Sequence, residues 1–239
     1  VNILFHPTSY LLAEADLHYV WSKAPFEGKA IIVTLVIFSI FAWMVMVSKA
    51  LQMSRAKKLN ALFESEFKAQ KKVLEIFDRN LDVEGCPMFA VYREGSQELD
   101  TRVKSPGGPR KEFITLKAME HIKRTLESAV ARESIRLESG LILLAITVSG
   151  APFIGLLGTV WGVMITFADV GKRGQADLPT MAPGVSAALI TTVAGLLVAI
   201  PSMFAYNWLV HTLRVLTVEL DNFAQQLVSR METEFLKDE

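Results

Sequence analysis

The stretch SGLILLAITVSGAPFIGLLGTVWGVMITFAD, Ser139 to Asp169, decides how the rest of the chain is read. No Asp, Glu, Lys, Arg or His occurs between Ser139 and Ala168, and a helix needs only about 20 apolar residues to cross a bilayer core. Its middle departs from the Leu, Ile and Val of a simple anchor. Gly150, Gly155, Gly158 and Gly162 thin one side, Pro152 removes a backbone donor, and Thr159 and Thr166 place hydroxyls in the span. Small residues three to four apart let helix backbones approach in lipid, where packing rather than water exclusion drives association. The pattern predicts a helix surrounded by other helices.

Working outward, the chain of 239 residues is 51% hydrophobic with a mean hydropathy of +0.33, and the excess is concentrated in three blocks. Lys29 and Lys49 bracket the first, KAIIVTLVIFSIFAWMVMVSK, with about 19 uncharged residues between them, enough for one crossing. The third begins near Met181 with Pro183 and Gly184 and runs through VSAALITTVAGLLVAIPSMFAYNWLVHTL to Arg214, with a kink expected at Pro201. Asp169 to Pro179 reads as a short polar hairpin. Residues 1–28 read as a segment at the membrane surface, where Tyr19 and Trp21 suit the headgroup boundary. They have neither the basic start nor the small-residue cleavage site of a signal peptide.

Two amphipathic helices are expected in the polar region 50–138. One covers about Leu51 to Leu81, with Leu59, Leu62, Phe63, Phe67, Leu74 and Phe77 at helical spacing; the other covers about Lys111 to Glu138, with Leu116, Met119, Ile122, Leu126, Val130 and Leu137. GCPMF and KSPGGPRK between them are turn and linker chemistry. The second helix meets the Ser139 span without a breaker, which predicts one continuous helix. After the third span, Leu213, Leu216, Leu220, Phe223, Leu227 and Met231 mark an amphipathic C-terminal helix, followed by a mostly acidic end (Glu232, Glu234, Asp238, Glu239). Basic residues fix the expected topology. Lys49, Arg55, Lys57 and Lys58 follow the first span, whereas the hairpin has only Lys172 and Arg173, so residues 50–138 and the C-terminus fall in the cytoplasm and the N-terminus outside.

Composition excludes several functions. A formal net charge of +0 and a pI near 7.1 give no basis for nucleic-acid binding. The one cysteine, Cys86, permits no intramolecular disulfide and no cysteine-cluster metal site, and reads as an incidental loop thiol. His6, His18, His121 and His211 are scattered. No nucleophile constellation, phosphate loop or metal cluster is apparent, so neither catalytic residues nor a cofactor are expected. The chemistry lies in the membrane. Residues 178–210 also lack any Asp, Glu, Lys, Arg or His, and both charge-free spans carry hydroxyls: Thr147, Ser149, Thr159 and Thr166, then Ser186, Thr191, Thr192 and Ser202. A hydroxyl can relay a proton or solvate an ion but holds no charge near neutral pH, and cation pathways in membranes normally use a carboxylate. If the chain conducts, a partner helix must bring the acid. Membrane Ser and Thr also commonly bond back to a carbonyl four residues earlier; Thr159 and Thr192 stand apart because each lies at mid-span beside small residues.

Two strings carry a resemblance: APFIGLLGTVWGVM (Ala151–Met164) and MAPGVSAALITTVAGLLVAIPSMFAYN (Met181–Asn207). Both closely resemble the ExbB/TolQ/MotA family of proton-channel subunits, and FSIFAW in the first span looks like TolQ. The resemblance implies an all-α integral membrane protein with three transmembrane helices (29–49, 139–168 and 180–210) and long cytoplasmic helical extensions. It further implies a homopentameric ring in the bacterial inner membrane around a central pore. That pore would hold a dimer of an ExbD- or TolR-type single-span protein whose Asp carries protons. Proton-motive force would then drive a motion passed to a TonB- or TolA-type protein. The family's pore threonines fall on Thr159 and Thr192, and the packing and pore positions on Pro152, Gly155, Gly158, Gly162, Pro183, Gly195 and Pro201. One departure is Ala187, where many ExbB and TolQ proteins have a Glu. Three readings follow: a motor's channel subunit of Tol or Ton type, a flagellar-stator-like channel subunit (those have four spans), and a scaffold that conducts nothing.

Overall fold

A computed structural model describes residues 26–104, 112–174 and 177–236. The expected surface segment, except for its last three residues, and most of the KSPGGPRK linker lie outside the described residues. All regular structure among the described residues is helical: α1 Phe26–Ala69, α2 Glu75–Asp78, α3 Pro87–Val103, α4 Leu116–Glu138, α5 Leu141–Arg173 and α6 Leu178–Phe235. Three of them, α1, α5 and α6, are long and apolar enough to cross a membrane. Among the described residues they contribute to two compact units, one formed by residues 26–46 with Leu141–Tyr206, the other by Val47–Gly140 with residues 207–236.

In the first unit, α5 and α6 pair antiparallel through small residues. Ala151, Gly155, Gly158 and Gly162 recur every three or four residues on α5, and Gly184, Ala188, Thr191 and Gly195 recur the same way on α6. The close approaches run in opposite order along the two helices: Ala151 with Gly195, Gly158 with Thr191, Gly162 with Ala188, Thr166 with Gly184. Leu35 of α1 is buried with Ala151 and Ala199 against this pair. The outward faces of the spans stay apolar, with Phe153, Val160, Leu197 and Phe204 exposed, as expected of surfaces that meet lipid.

The second unit has an aromatic core. The Phe63 ring centroid lies 5.5–5.8 Å from those of Phe89, Tyr92 and Phe223, edge-on to Phe89 and Phe223 and tilted to Tyr92. The Tyr92 hydroxyl donates to Val73 O (2.6 Å) and accepts from Phe77 N (3.0 Å), which satisfies it in a fully buried position. Arg230 closes the C-terminal turn of α1: its Nη1 donates to Phe67 O (2.9 Å) while the guanidinium lies 4.6 Å from the Phe67 ring centroid. Met119, Ile122, Leu126, Val130 and Leu137 of α4 are buried as the helical spacing predicts, as are Leu216, Leu220, Phe223, Leu227 and Met231 of α6.

Several element boundaries differ from the sequence-based expectation. The amphipathic helix placed at 51–81 is continuous with the first span and ends at Ala69. Leu62 and Leu116, assigned to apolar faces, are exposed. GCPMF is not a turn throughout: Pro87 opens a 17-residue helix, since proline suits the first helical turn where its missing N–H has no intrahelical partner. Cys86 is not a loop thiol but that helix's N-cap; its Sγ accepts from Phe89 N (3.4 Å) and lies 3.5 Å from Asn60 Oδ1. Burial pushes the Cys86 thiol above its usual range, which disfavours the reactive thiolate. We expect alkylation by iodoacetamide at pH 8 to be at least tenfold slower in the folded protein than after denaturation; equal rates would contradict this burial. The continuous helix expected through Ser139 is broken, because Gly140 takes φ +86°, a conformation glycine adopts without strain. The hairpin shortens, with α5 reaching Arg173 and α6 starting at Leu178, so Pro183 lies inside α6 rather than at its start.

Candidate functional site

Three hydroxyls of the two charge-free spans meet at one place. Thr159 and Thr192, on opposite helices, bring their Oγ1 atoms into direct hydrogen-bond contact. Thr159 Oγ1 also lies 3.3 Å from both Gly155 O and Ala188 O, and Thr192 Oγ1 lies 3.2 Å from Gly155 O. A third hydroxyl joins them: Thr191 Oγ1 donates within 2.6 Å of Ala188 O and 3.0 Å of Gly155 O. Three hydroxyls thus converge on the Gly155 carbonyl. Each has one proton to give and two lone pairs, so the cluster holds more acceptor sites than donors and can solvate a cation or a protonated group.

Glycine makes this convergence possible. A Cβ on Gly155 would lie 2.7 Å from Thr191 O, and one on Gly158 would lie 2.5 Å from Thr191 Oγ1. Gly195 is held to glycine by Ala151 O at 2.6 Å, and Gly162 by the Ala188 methyl at 2.7 Å. Gly150 differs, with no atom within 4 Å of such a Cβ, and takes no part in the contact. Pro152 sits inside α5 and Pro183 and Pro201 inside α6. Ser202 Oγ donates to Val198 O (2.7 Å), one residue from the carbonyl that Pro201 leaves without its usual amide.

The structure separates residues that spacing alone could not. Thr191 is buried, whereas Thr159 and Thr192 remain partly exposed on the rim of the contact. Thr191, Ala188, Ala151 and the Gly184–Thr166 pair complete the contact and were not assigned to the site from sequence. The signal for them was present in the 188–191–195 spacing, which matches 155–158–162. Thr147, Ser149 and Thr166 make the local bonds common in membrane helices, to Leu143 O, Ala145 O and Gly162 O, all at 2.8–3.0 Å. Ala187 is buried, and as an alanine it places no carboxylate there.

The description "MotA/TolQ/ExbB proton channel family" fits residues 90–222, more than half of the 239 residues. The chain belongs to this family. It is 33% identical to the Tol-Pal system protein TolQ of Pseudomonas aeruginosa over 189 residues, covering 78% of this chain and 79% of that protein. TolQ of Haemophilus influenzae is 32% identical over 225 residues, 92% of this chain and 95% of its own length. The biopolymer transport protein ExbB of Neisseria meningitidis is 28% identical over 201 residues, 84% of this chain and 90% of that protein. Membership assigns the protein to a membrane channel family rather than to an enzyme family. Within the family match lie the three threonines that converge on Gly155 and the small residues that pack around them.

Proposed function

We propose that this protein is the channel-forming stator subunit of a proton-motive-force-driven motor of the Tol-Pal or Ton type in the bacterial inner membrane. The observation that carries the reading is the Thr159–Thr192 hydroxyl pair, partly exposed, in two spans that hold no Asp, Glu, Lys, Arg or His. A wall of hydroxyls without an acid is half of a proton pathway; the other half is a carboxylate on a partner helix. A single-span dimer of the ExbD or TolR type supplies that Asp from the centre of a homopentamer. A TonB- or TolA-type protein takes up the resulting motion. The N-terminus lies in the periplasm and residues 50–138 and the C-terminus in the cytoplasm, in accord with Lys49, Arg55, Lys57 and Lys58 after the first span. Each charge crossing supplies about 2.3 kcal/mol per 100 mV.

Thr159→Val with Thr192→Val tests the reading. Valine keeps the shape, and interhelical hydroxyl bonds in membranes are worth only about 0.6–2 kcal/mol, so folding and assembly persist. Ion-driven output of the complete complex should fall at least tenfold. Ala187 favours a second reading, a scaffold that holds its partner and conducts nothing, because this position is buried and uncharged. A scaffold would show unchanged output in the double variant. The relatives reported above are TolQ and ExbB proteins, which favours the Tol-Pal or Ton type over a flagellar-type subunit.

A further inference from the structure

Lys49 closes the first apolar block and is nevertheless buried, at 9% exposure. Its ammonium meets no carboxylate among the described residues. Instead Nζ donates to Gln52 Oε1 (2.9 Å), Leu137 O (3.3 Å) and Ser139 Oγ (3.4 Å). Three donors find three acceptors, the full capacity of a lysine. Ser139 Oγ in turn donates to Arg136 O (2.8 Å), so one ammonium and one hydroxyl occupy two carbonyls of the last turn of α4. Those carbonyls have no intrahelical donors of their own, and a cation there complements the negative end of the helix. The backbone turns at this point: Ser139 is extended in ψ (134°) and Gly140 takes φ +86° before α5 begins at Leu141. A Cβ on Gly140 would stand 3.4 Å from Lys49 Cε, so the lysine stem lies directly against the turn.

We propose that Lys49 is a positioning residue that latches the Ser139–Gly140 turn, fixing the point on α1 from which the chain continues into the helix bearing Thr159. The latch is local to Lys49, Gln52, Leu137 and Ser139; its consequence for ion-driven output rests on the channel reading. The alternative is an ammonium buried by chance, whose removal would free the turn no more than any other lost contact.

The test is Lys49→Met and Lys49→Arg in the full chain, in lipid bilayers with its partner proteins. Hydrogen exchange at the Leu137, Glu138 and Ser139 amides is read beside ion-driven output. Hydrogen bonds to a charged group are worth enough for K49M to speed exchange at these amides about tenfold, with the amides of Phe63 and Tyr92 unchanged. Output should fall severalfold. K49R keeps the charge but not three independently aimed donors, and should recover most of the protection and part of the output. Ser139→Ala, which removes one of the three acceptors, should show a smaller increase at the same amides. Unchanged exchange in K49M and S139A would overturn the latch, as would loss of protection spread evenly over the unit. If exchange responds while output is unaffected by both K49M and the Thr159/Thr192 double variant, the latch stands and the channel reading fails.

Discussion

Gly155→Val should abolish the pairing of α5 with α6. The added Cβ would stand 2.7 Å from Thr191 O, 3.1 Å from Thr192 Cα and 3.3 Å from Gly195 Cα, all of them backbone. Backbone cannot rotate aside as a side chain can, so the two helices must separate along the contact. Overpacking of this kind costs about 1–3 kcal/mol or more. Separation also parts Thr159 from Thr192, which removes the hydroxyl convergence along with the packing. Gly150→Ala is the matched control, because nothing lies within 4 Å of its Cβ. It should leave stability unchanged or raise it by about 0.5–1 kcal/mol through helix propensity. The comparison is made by thermal unfolding of the purified protein in one detergent. Equal midpoints for Gly155→Val and the unaltered protein would mean that α5 and α6 do not pack in this register.

The second large effect is expected at Phe63. Its ring lies 5.5 Å from both Phe89 and Tyr92 and 5.8 Å from Phe223, so it joins α1, α3 and α6 in one contact. Phe63→Ala should destabilise the second unit by about 3–5 kcal/mol, since a cavity opens among rings that cannot all collapse into it. Phe63→Leu should cost less than half as much, because it retains most of the buried volume. Denaturant unfolding followed by alkylation of Cys86, the single cysteine and a buried member of the same core, reports on this cluster. A loss under about 1 kcal/mol for Phe63→Ala would contradict the packing around this ring.

Hydropathy over about 20 residues is a local property of the chain, and so the three spans, the all-helical class and the charge-free character of two of them were legible without any coordinates. The apolar faces of α4 and of the end of α6 were equally legible from spacing, because helical periodicity repeats over many residues. Boundaries fared differently where a single residue governed them. Gly140 ends one helix and Pro87 starts another, yet glycine and proline each admit several local conformations; only their neighbours choose among these.

The same division runs through the site. Residue order alone determined that no acid resides in the two hydroxyl-bearing spans, and a mid-span setting beside small residues singled out Thr159 and Thr192, in agreement with the resemblance. Tertiary structure decided that Thr191 is buried in the contact while Thr192, one residue on, reaches its rim, since consecutive residues on a helix point about 100° apart. It also decided that Cys86 caps a helix and that Lys49 finds its acceptors at Leu137 and Ser139. Those partners lie far along the chain from Lys49. Sequence fixes what a side chain can donate or accept, but the folding of distant segments against one another determines which partner it meets.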